Sequence, residues 1–325
     1  MIGVQPEIPT LADVHEARRR IAAHLRPTPL FGYPALDELV GTRVVVKHEN
    51  HQPVGAFKVR GGVNLVSQLS PDERRRGVIA ASTGNHGQSL AFAGRAFGVP
   101  VTICVPEQAN PVKVASIRGL GANVVFHGRD YDDAREHCEE LARSRNHRYV
   151  HSGNEPLLIA GVGTSTLELL EELPDVEVIV VPIGGGSGAA GACLVAKAVN
   201  PDVVVIGVQS DAAPAAYRSW RARRLVEDRC DTIAEGLATR TSFELPQRIL
   251  WDLLDDFVLV SDAEICRAQR LMIETTRNLV EAAGAAPLAA ALNLRERIAG
   301  KKVALVLSGG NATPDQLRDV LGAGA

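Results

Sequence analysis

The segment Val54-Gly55-Ala56-Phe57-Lys58, followed by Val59-Arg60-Gly61-Gly62, sets a single lysine behind a glycine and an aromatic ring in apolar surroundings. Desolvation disfavours an ammonium, and the neutral amine is the form that attacks a carbonyl. Lys58 therefore reads as a Schiff-base lysine opening a helix. Three distant segments could serve whatever it binds. Ser82-Thr83-Gly84-Asn85-His86 precedes a helix and offers hydroxyls and amides to an anion such as a carboxylate, with Asn85 suited to a phenolic oxygen. Gly184-Gly185-Gly186-Ser187-Gly188 presents consecutive amides without Cβ atoms, a cup for a phosphate at the positive end of the helix that follows. Ser308-Gly309-Gly310-Asn311 closes a strand and could turn a hydroxyl towards a ring nitrogen. The glycine cup by itself is ambiguous. Gly186-Ser187-Gly188-Ala189-Ala190-Gly191 also satisfies the G-x-G-x-x-G dinucleotide pattern, although Gln209 stands where an acidic residue would grip a ribose. A nucleotide-binding module stays open on that segment alone, but leaves Lys58 and the Asn85 segment without roles.

The elements that must position these residues alternate. Strands are predicted at 43–47, 78–81, 101–105, 123–126, 176–181, 203–208, 257–260 and 303–307. Helical patterns fall at 88–97, 131–145, 157–172, 189–199 and 263–281. Such alternation predicts βαβ units and parallel strands, in two sheets rather than one. Each chemistry-bearing segment sits at a strand end, where ligands gather in open α/β sheets. A compact β-α-β-α-β-α-β run over 78–153 predicts a small domain, with 1–77 and 154–325 forming the larger one.

Composition narrows the class. The 325 residues carry 35 basic and 38 acidic side chains, a net charge of −3, so no basic face announces nucleic acid. Hydrophobic residues make up 46% and aromatic residues 4%, which suits an Ala/Val/Leu-rich enzyme better than a base-stacking platform. Cys104, Cys138, Cys193, Cys230 and Cys266 have no short spacing and read as reduced thiols of a cytoplasmic protein. There is no signal-peptide pattern and no apolar run long enough for a membrane span. The scattered histidines His15, His24, His127, His137, His147 and His151 suggest surface or core roles. Arg18–Arg20, Arg74–Arg76 and Arg221–Arg224 read as solvated helix faces or subunit contacts.

Taken together, these segments resemble the fold-type II pyridoxal phosphate (PLP) enzymes, in the threonine/serine dehydratase and serine racemase branch. The resemblance runs from Arg26-Pro27-Thr28-Pro29-Leu30 through Lys47-His48-Glu49-Asn50 to Ser308–Asn311, in family order. It implies a two-domain, open twisted parallel-sheet α/β fold like that of the tryptophan synthase beta subunit, with 78–153 mobile. It also implies that Lys58 binds PLP, Asn85 holds the 3′-oxygen and Gly184–Gly188 hold the phosphate. Ser308 would face the pyridine nitrogen, Glu281 would lie near the cofactor, and Ser82–His86 would clasp the substrate carboxylate. The implied activity is removal of water from a β-hydroxy amino acid such as L-threonine or L-serine, giving a 2-oxo acid and ammonia, in a homodimer.

Departures from the family pattern sharpen this. Val54-Gly55-Ala56 replaces the usual Thr-Gly-Ser before the aromatic and the lysine, and Ser187 takes the place of a fourth cup glycine. Thr83 stands where racemases carry the serine that acts on the opposite face of the substrate. That weakens racemisation or β-replacement as the alternative. Gln209 and Ala215 stand where metal-activated relatives carry carboxylates, so no divalent metal is expected. Gly184–Lys197 also resembles dehydratases of hydroxyectoine breakdown.

Overall fold

β-Branched runs and the helical segments between them form two sheets in the computed structural model, which describes residues 6–322. The strands are β1 (Leu30–Gly32), β2 (Val44–His48), β3 (Val78–Ala81), β4 (Val101–Val105), β5 (Asn123–Phe126), β6 (Arg148–Tyr149), β7 (Val178–Pro182), β8 (Val204–Ser210), β9 (Asp256–Val260) and β10 (Val303–Leu307). The first seven helices are α1 (Leu11–Ile21), α2 (Pro34–Val40), α3 (Lys58–Ser67), α4 (Pro71–Arg76), α5 (Asn85–Phe97), α6 (Pro111–Gly119) and α7 (Tyr131–Arg145). Then come α8 (Pro156–Glu172), α9 (Ser187–Val199), α10 (Ala215–Ala222), α11 (Glu244–Leu253), α12 (Asp262–Thr276), α13 (Ala282–Asn293) and α14 (Pro314–Gly322).

The chain divides into two compact units. One holds the residues up to Arg26 together with Lys58–Gly161, and its sheet runs β5-β4-β3-β6, all parallel. The other holds Pro27–Phe57 and the chain from Val162 onward, with the sheet β1-β2-β10-β7-β8-β9. Its pairings are parallel except at the β1 edge, where Leu30 faces Lys47 in an antiparallel register. Strands β2 and β3 are buried along their whole length, and β7 in all but its last residue. That is how strands covered by helices on both faces read, as continuous apolar runs rather than alternating ones.

In the larger unit the core packs Val46, Val180, Ile206 and Leu305 of the sheet against the alanine-rich α13. The small side chains Ala285, Ala286, Ala289 and Ala290 let that helix lie close to the strands. Beneath it, the fully buried Lys47 Nζ donates to Glu168 and to the Thr28 carbonyl, each at 2.7 Å. A buried ammonium persists only with such partners. In the smaller unit Ile79, Ala81, Cys104, Cys138 and Ala142 form a tight cluster between β3, β4 and α7.

Two helix boundaries differ from the sequence expectation by three residues or more. Helix α5 begins at Asn85 rather than 88, because Ser82 caps its start from outside, so Asn85 and His86 occupy a first helical turn. Helix α12 ends at Thr276 rather than 281: Arg277 adopts a left-handed conformation (φ 59°), and Glu281 becomes the N-cap of α13. No helix among the described residues is long and apolar enough to cross a membrane.

Candidate active site

Lys58 is the first residue of α3, and its carbonyl accepts a 2.7 Å hydrogen bond from Ser89 Oγ on α5. The two helices touch through glycine: a methyl on Gly62 would stand 2.3 Å from that same Ser89 oxygen. The Lys58 side chain is only partly exposed, and its Nζ donates to the carbonyl of Ser152 at 3.2 Å. Burial pulls its pKa down to about 8. A sizeable fraction of the amine is thus neutral near physiological pH, the form a nucleophile or base requires.

The segment after β3 is built around one hydroxyl. Ser82 Oγ accepts the amide hydrogens of Gly84 (3.2 Å) and Gly87 (3.1 Å), while the Ser82 amide donates to the Cys104 carbonyl at 3.1 Å. Thr83, Gly84 and Asn85 are half-buried beside it. A methyl on Gly84 would meet nothing within 4 Å, so the start of α5 faces open space at that point. His86, buried in the same turn, sits 3.3 Å from the Val150 carbonyl through Nε2. Its pKa is depressed to about 3, first by burial and then by the charge of Lys58, so the ring is neutral.

The other unit supplies a second strand-to-helix turn. After β7, Gly184–Gly186 lead into α9, whose N-cap, Gly186, lies in the left-handed region (φ 87°) and brings no side-chain cap. Helices lacking a side-chain cap leave first-turn amides to other acceptors, an anion among them. The glycines of this turn leave little room for a Cβ. A methyl on Gly184 would stand 2.2 Å from the Gly236 carbonyl oxygen, one on Gly185 2.2 Å from the Phe243 ring, and one on Gly188 3.0 Å from the Phe57 ring. Phe57 is the residue before Lys58, so the chain reaches that lysine from a ring packed against the glycine turn.

The end of β10 is stitched to the same approach. Phe57 N donates to the Ser308 carbonyl (3.0 Å), Gly310 N to the Gly55 carbonyl (2.9 Å), and Asn311 Nδ2 to the Val54 carbonyl (2.8 Å). Gly309 lies against Glu281: a methyl there would stand 2.4 Å from Glu281 Oε1 and displace that carboxylate. Ser308, Glu281 and the Gly184–Gly188 turn thus belong to one unit, and Lys58 and Ser82–His86 to the other.

Sequence reasoning missed the segment opposite Lys58. The Ser152 contact is a backbone carbonyl, which any residue could supply, and His151 had been read as a surface or core histidine. The polar run Ser152-Gly153-Asn154, at the end of the predicted small domain, is the one signal the sequence offers there. Nor are His127 and His137 scattered: their rings stack at 3.9 Å. Among the described residues no group of three or more His, Cys, Asp and Glu side chains could hold a metal. Gln209 Oε1, fully buried, accepts the Tyr217 amide at 3.0 Å.

An amine with a depressed pKa beside a capped helix start suits an aldehyde cofactor, and the glycine turn of the other unit is of the kind that receives a phosphate. Residues 21–309 match the family described as pyridoxal-phosphate dependent enzymes. The L-threonine ammonia-lyase of Thermotoga maritima is 40% identical over 97% of this chain and 79% of its own. The L-threo-3-hydroxyaspartate ammonia-lyase of Saccharomyces cerevisiae is 36% identical over 94% of each. The crystal structure of serine racemase from Dictyostelium discoideum superposes with a TM-score of 0.89 at 34% identity, covering 94% of this chain and 99% of that one. The chain belongs to the pyridoxal-phosphate dependent enzymes, and PLP is its cofactor. Within them it falls in the threonine/serine dehydratase and serine racemase branch, with the fold-type II architecture.

Proposed function

We propose that the protein is a PLP-dependent ammonia-lyase that removes water from L-threonine or L-serine, yielding a 2-oxo acid and ammonia. The observation that carries this reading is Lys58: an amine with a pKa near 8, hydrogen-bonded to a neutral carbonyl. Lys58 would hold the cofactor through Nζ, with the amides of Gly184, Gly185, Gly186, Ser187 and Gly188 on its phosphate, Asn85 on its 3′-oxygen, Ser308 on its pyridine nitrogen and Glu281 nearby. Bound PLP supplies an electron sink for charge developing at the substrate Cα.

The residues of this chain supply the rest. The neutral Lys58 amine takes the Cα proton as general base. Ser82, Thr83, Gly84, Asn85 and His86 bind the substrate carboxylate, with the Ser82 hydroxyl and the positive end of α5 directed to it. Neutral His86 adds no competing positive charge near Lys58. Loss of the β-hydroxyl as water leaves an enamine that hydrolyses to the oxo acid and ammonia. Residues 78–153 would form a small mobile domain, with 1–77 and 154–325 as the larger one.

Racemisation on the same site is the second reading, favoured by the serine racemase likeness and opposed by Thr83 in place of a freer serine. We place the enzyme in the cytoplasm as a homodimer without nucleic-acid or membrane partners; the five free cysteines suit a reducing compartment. The decisive experiment records the visible absorbance of the purified protein and then 2-oxo acid release from L-threonine, L-serine and threo-3-hydroxyaspartate, with chiral analysis of recovered serine. Lys58→Ala is expected to lose both the lysine-bound absorbance band and turnover. Retention of both would refute the assignment.

A further inference from the structure

The turn that follows β6 is braced far more heavily than a connecting loop needs. His151 Nδ1 accepts the amide hydrogens of Gly153 (3.1 Å) and Asn154 (3.0 Å), closing the turn through its own side chain. Beside it, Arg148 holds the Glu155 carboxylate at 2.8 Å. Upstream, Val150 N donates to the Ile79 carbonyl at 2.9 Å, and the Val150 carbonyl meets His86. Val150, His151, Gly153, Asn154 and Glu155 are each thereby tied within the smaller unit, and the carbonyl of Ser152, between them in sequence, faces Lys58 Nζ.

Chemically, a carbonyl is the right partner for an amine that must act as a base. It can only accept, so it engages an N–H of the lysine and leaves the nitrogen lone pair unused. A hydroxyl or amide donor in the same place would occupy that lone pair. A carboxylate would hold the lysine as an ammonium. His151 also keeps a fixed tautomer: with two amides directed at Nδ1, the ring proton belongs on Nε2.

We infer that the His151–Asn154 turn is the rest for the Lys58 amine whenever that amine is not bonded to the cofactor, and that His151 is the positioning residue that aims the Ser152 carbonyl. This deepens the proposed function and rests on Lys58 being the cofactor lysine. An aimed rest gives the amine one starting position for proton removal and one from which to recapture the cofactor.

The test uses full-length protein stripped of PLP and then reloaded, with the visible absorbance of the lysine-bound cofactor followed in time. Reloading of His151→Ala is expected to slow by about tenfold, and kcat to fall by a similar factor with KM held within about twofold. His151→Asn is the rescue, because its Oδ1 can accept the same two amides; both rates should return to within about threefold of the parent. An unchanged His151→Ala, or a folded His151→Asn as slow as the alanine variant, would overturn the inference. If His151→Ala does not fold, His151→Phe decides, because it keeps the bulk of the ring without an acceptor for the two amides: slowed reloading supports the rest and an unchanged rate refutes it. Lys58→Ala, run alongside, separates the two levels, since a retained absorbance band there would sink the lysine assignment itself rather than the role of His151.

Discussion

Two turns in this molecule have the same position and opposite construction. Ser82–His86 joins β3 to α5, and Gly184–Gly188 joins β7 to α9; both carry a strand end into a helix start. In the first, a methyl on the glycine would meet nothing, and one serine oxygen fixes the backbone. In the second, every glycine but the left-handed Gly186 is pressed against backbone or an aromatic ring, and Gly186 itself would bring a methyl within 2.9 Å of Pro246. Glycine thus serves access in one turn and packing in the other. The lesson is that a glycine motif does not declare whether its missing Cβ makes room for a ligand or for the protein.

Substitution by alanine breaks this comparison most sharply at Gly184. Its methyl would strike the backbone oxygen of Gly236, which has no rotamer to retreat into, so Gly184→Ala should cost about 3 kcal/mol and release PLP. Thermal melting and the visible absorbance read both effects. Acid tests the charge contrast, because His86 belongs to the first turn and nothing in the second titrates. The folded pKa of His86, about 3, lies below the unfolded 6.5, so the unfolded state binds the proton first. Its contribution is complete above pH 6.5 and is lost as pH falls towards 3, at a slope of about 1.4 kcal/mol per pH unit. Urea melts between pH 7 and 5 should show that slope flattened in His86→Gln. At Gly185 the obstacle is the Phe243 ring, which can rotate. Gly185→Ala should therefore cost about 1 kcal/mol, partly recovered by adding Phe243→Leu, as a double-mutant cycle would reveal. The smallest effect is expected at Gly84: stability within about 0.5 kcal/mol of the parent, with KM for the amino acid raised because the methyl enters the open space.

Where these turns lie was legible from sequence, because continuous apolar runs such as Val78–Ala81 and Val303–Leu307 mark buried parallel strands by themselves. Four of the ten strands carry the bounds that the pattern predicts. The three-residue β1 was not legible, since Leu30-Phe31-Gly32 between Pro29 and Pro34 has too few residues for a period. The end of α12 was hidden because Arg277 takes a left-handed conformation that side-chain periodicity does not register. At the site, Lys58 opens a helix as its setting suggested. The distinction between the two glycine turns was invisible, because it depends on Gly236, Phe243 and Phe57, which only tertiary packing brings to them.

The Ser82 hydroxyl has a further consequence. Both lone pairs of Oγ are committed to the amides of Gly84 and Gly87, so the group retains only its proton to offer. It behaves as a one-way polar contact, closed to any incoming N–H or O–H. A free acid can receive that proton. The corresponding carboxamide would have to turn its oxygen to the serine and find an acceptor elsewhere for two hydrogens. With the substrate carboxylate bound as proposed, discrimination between an amino acid and its amide would be written into the cap of a helix, at a residue whose first duty is to hold the backbone.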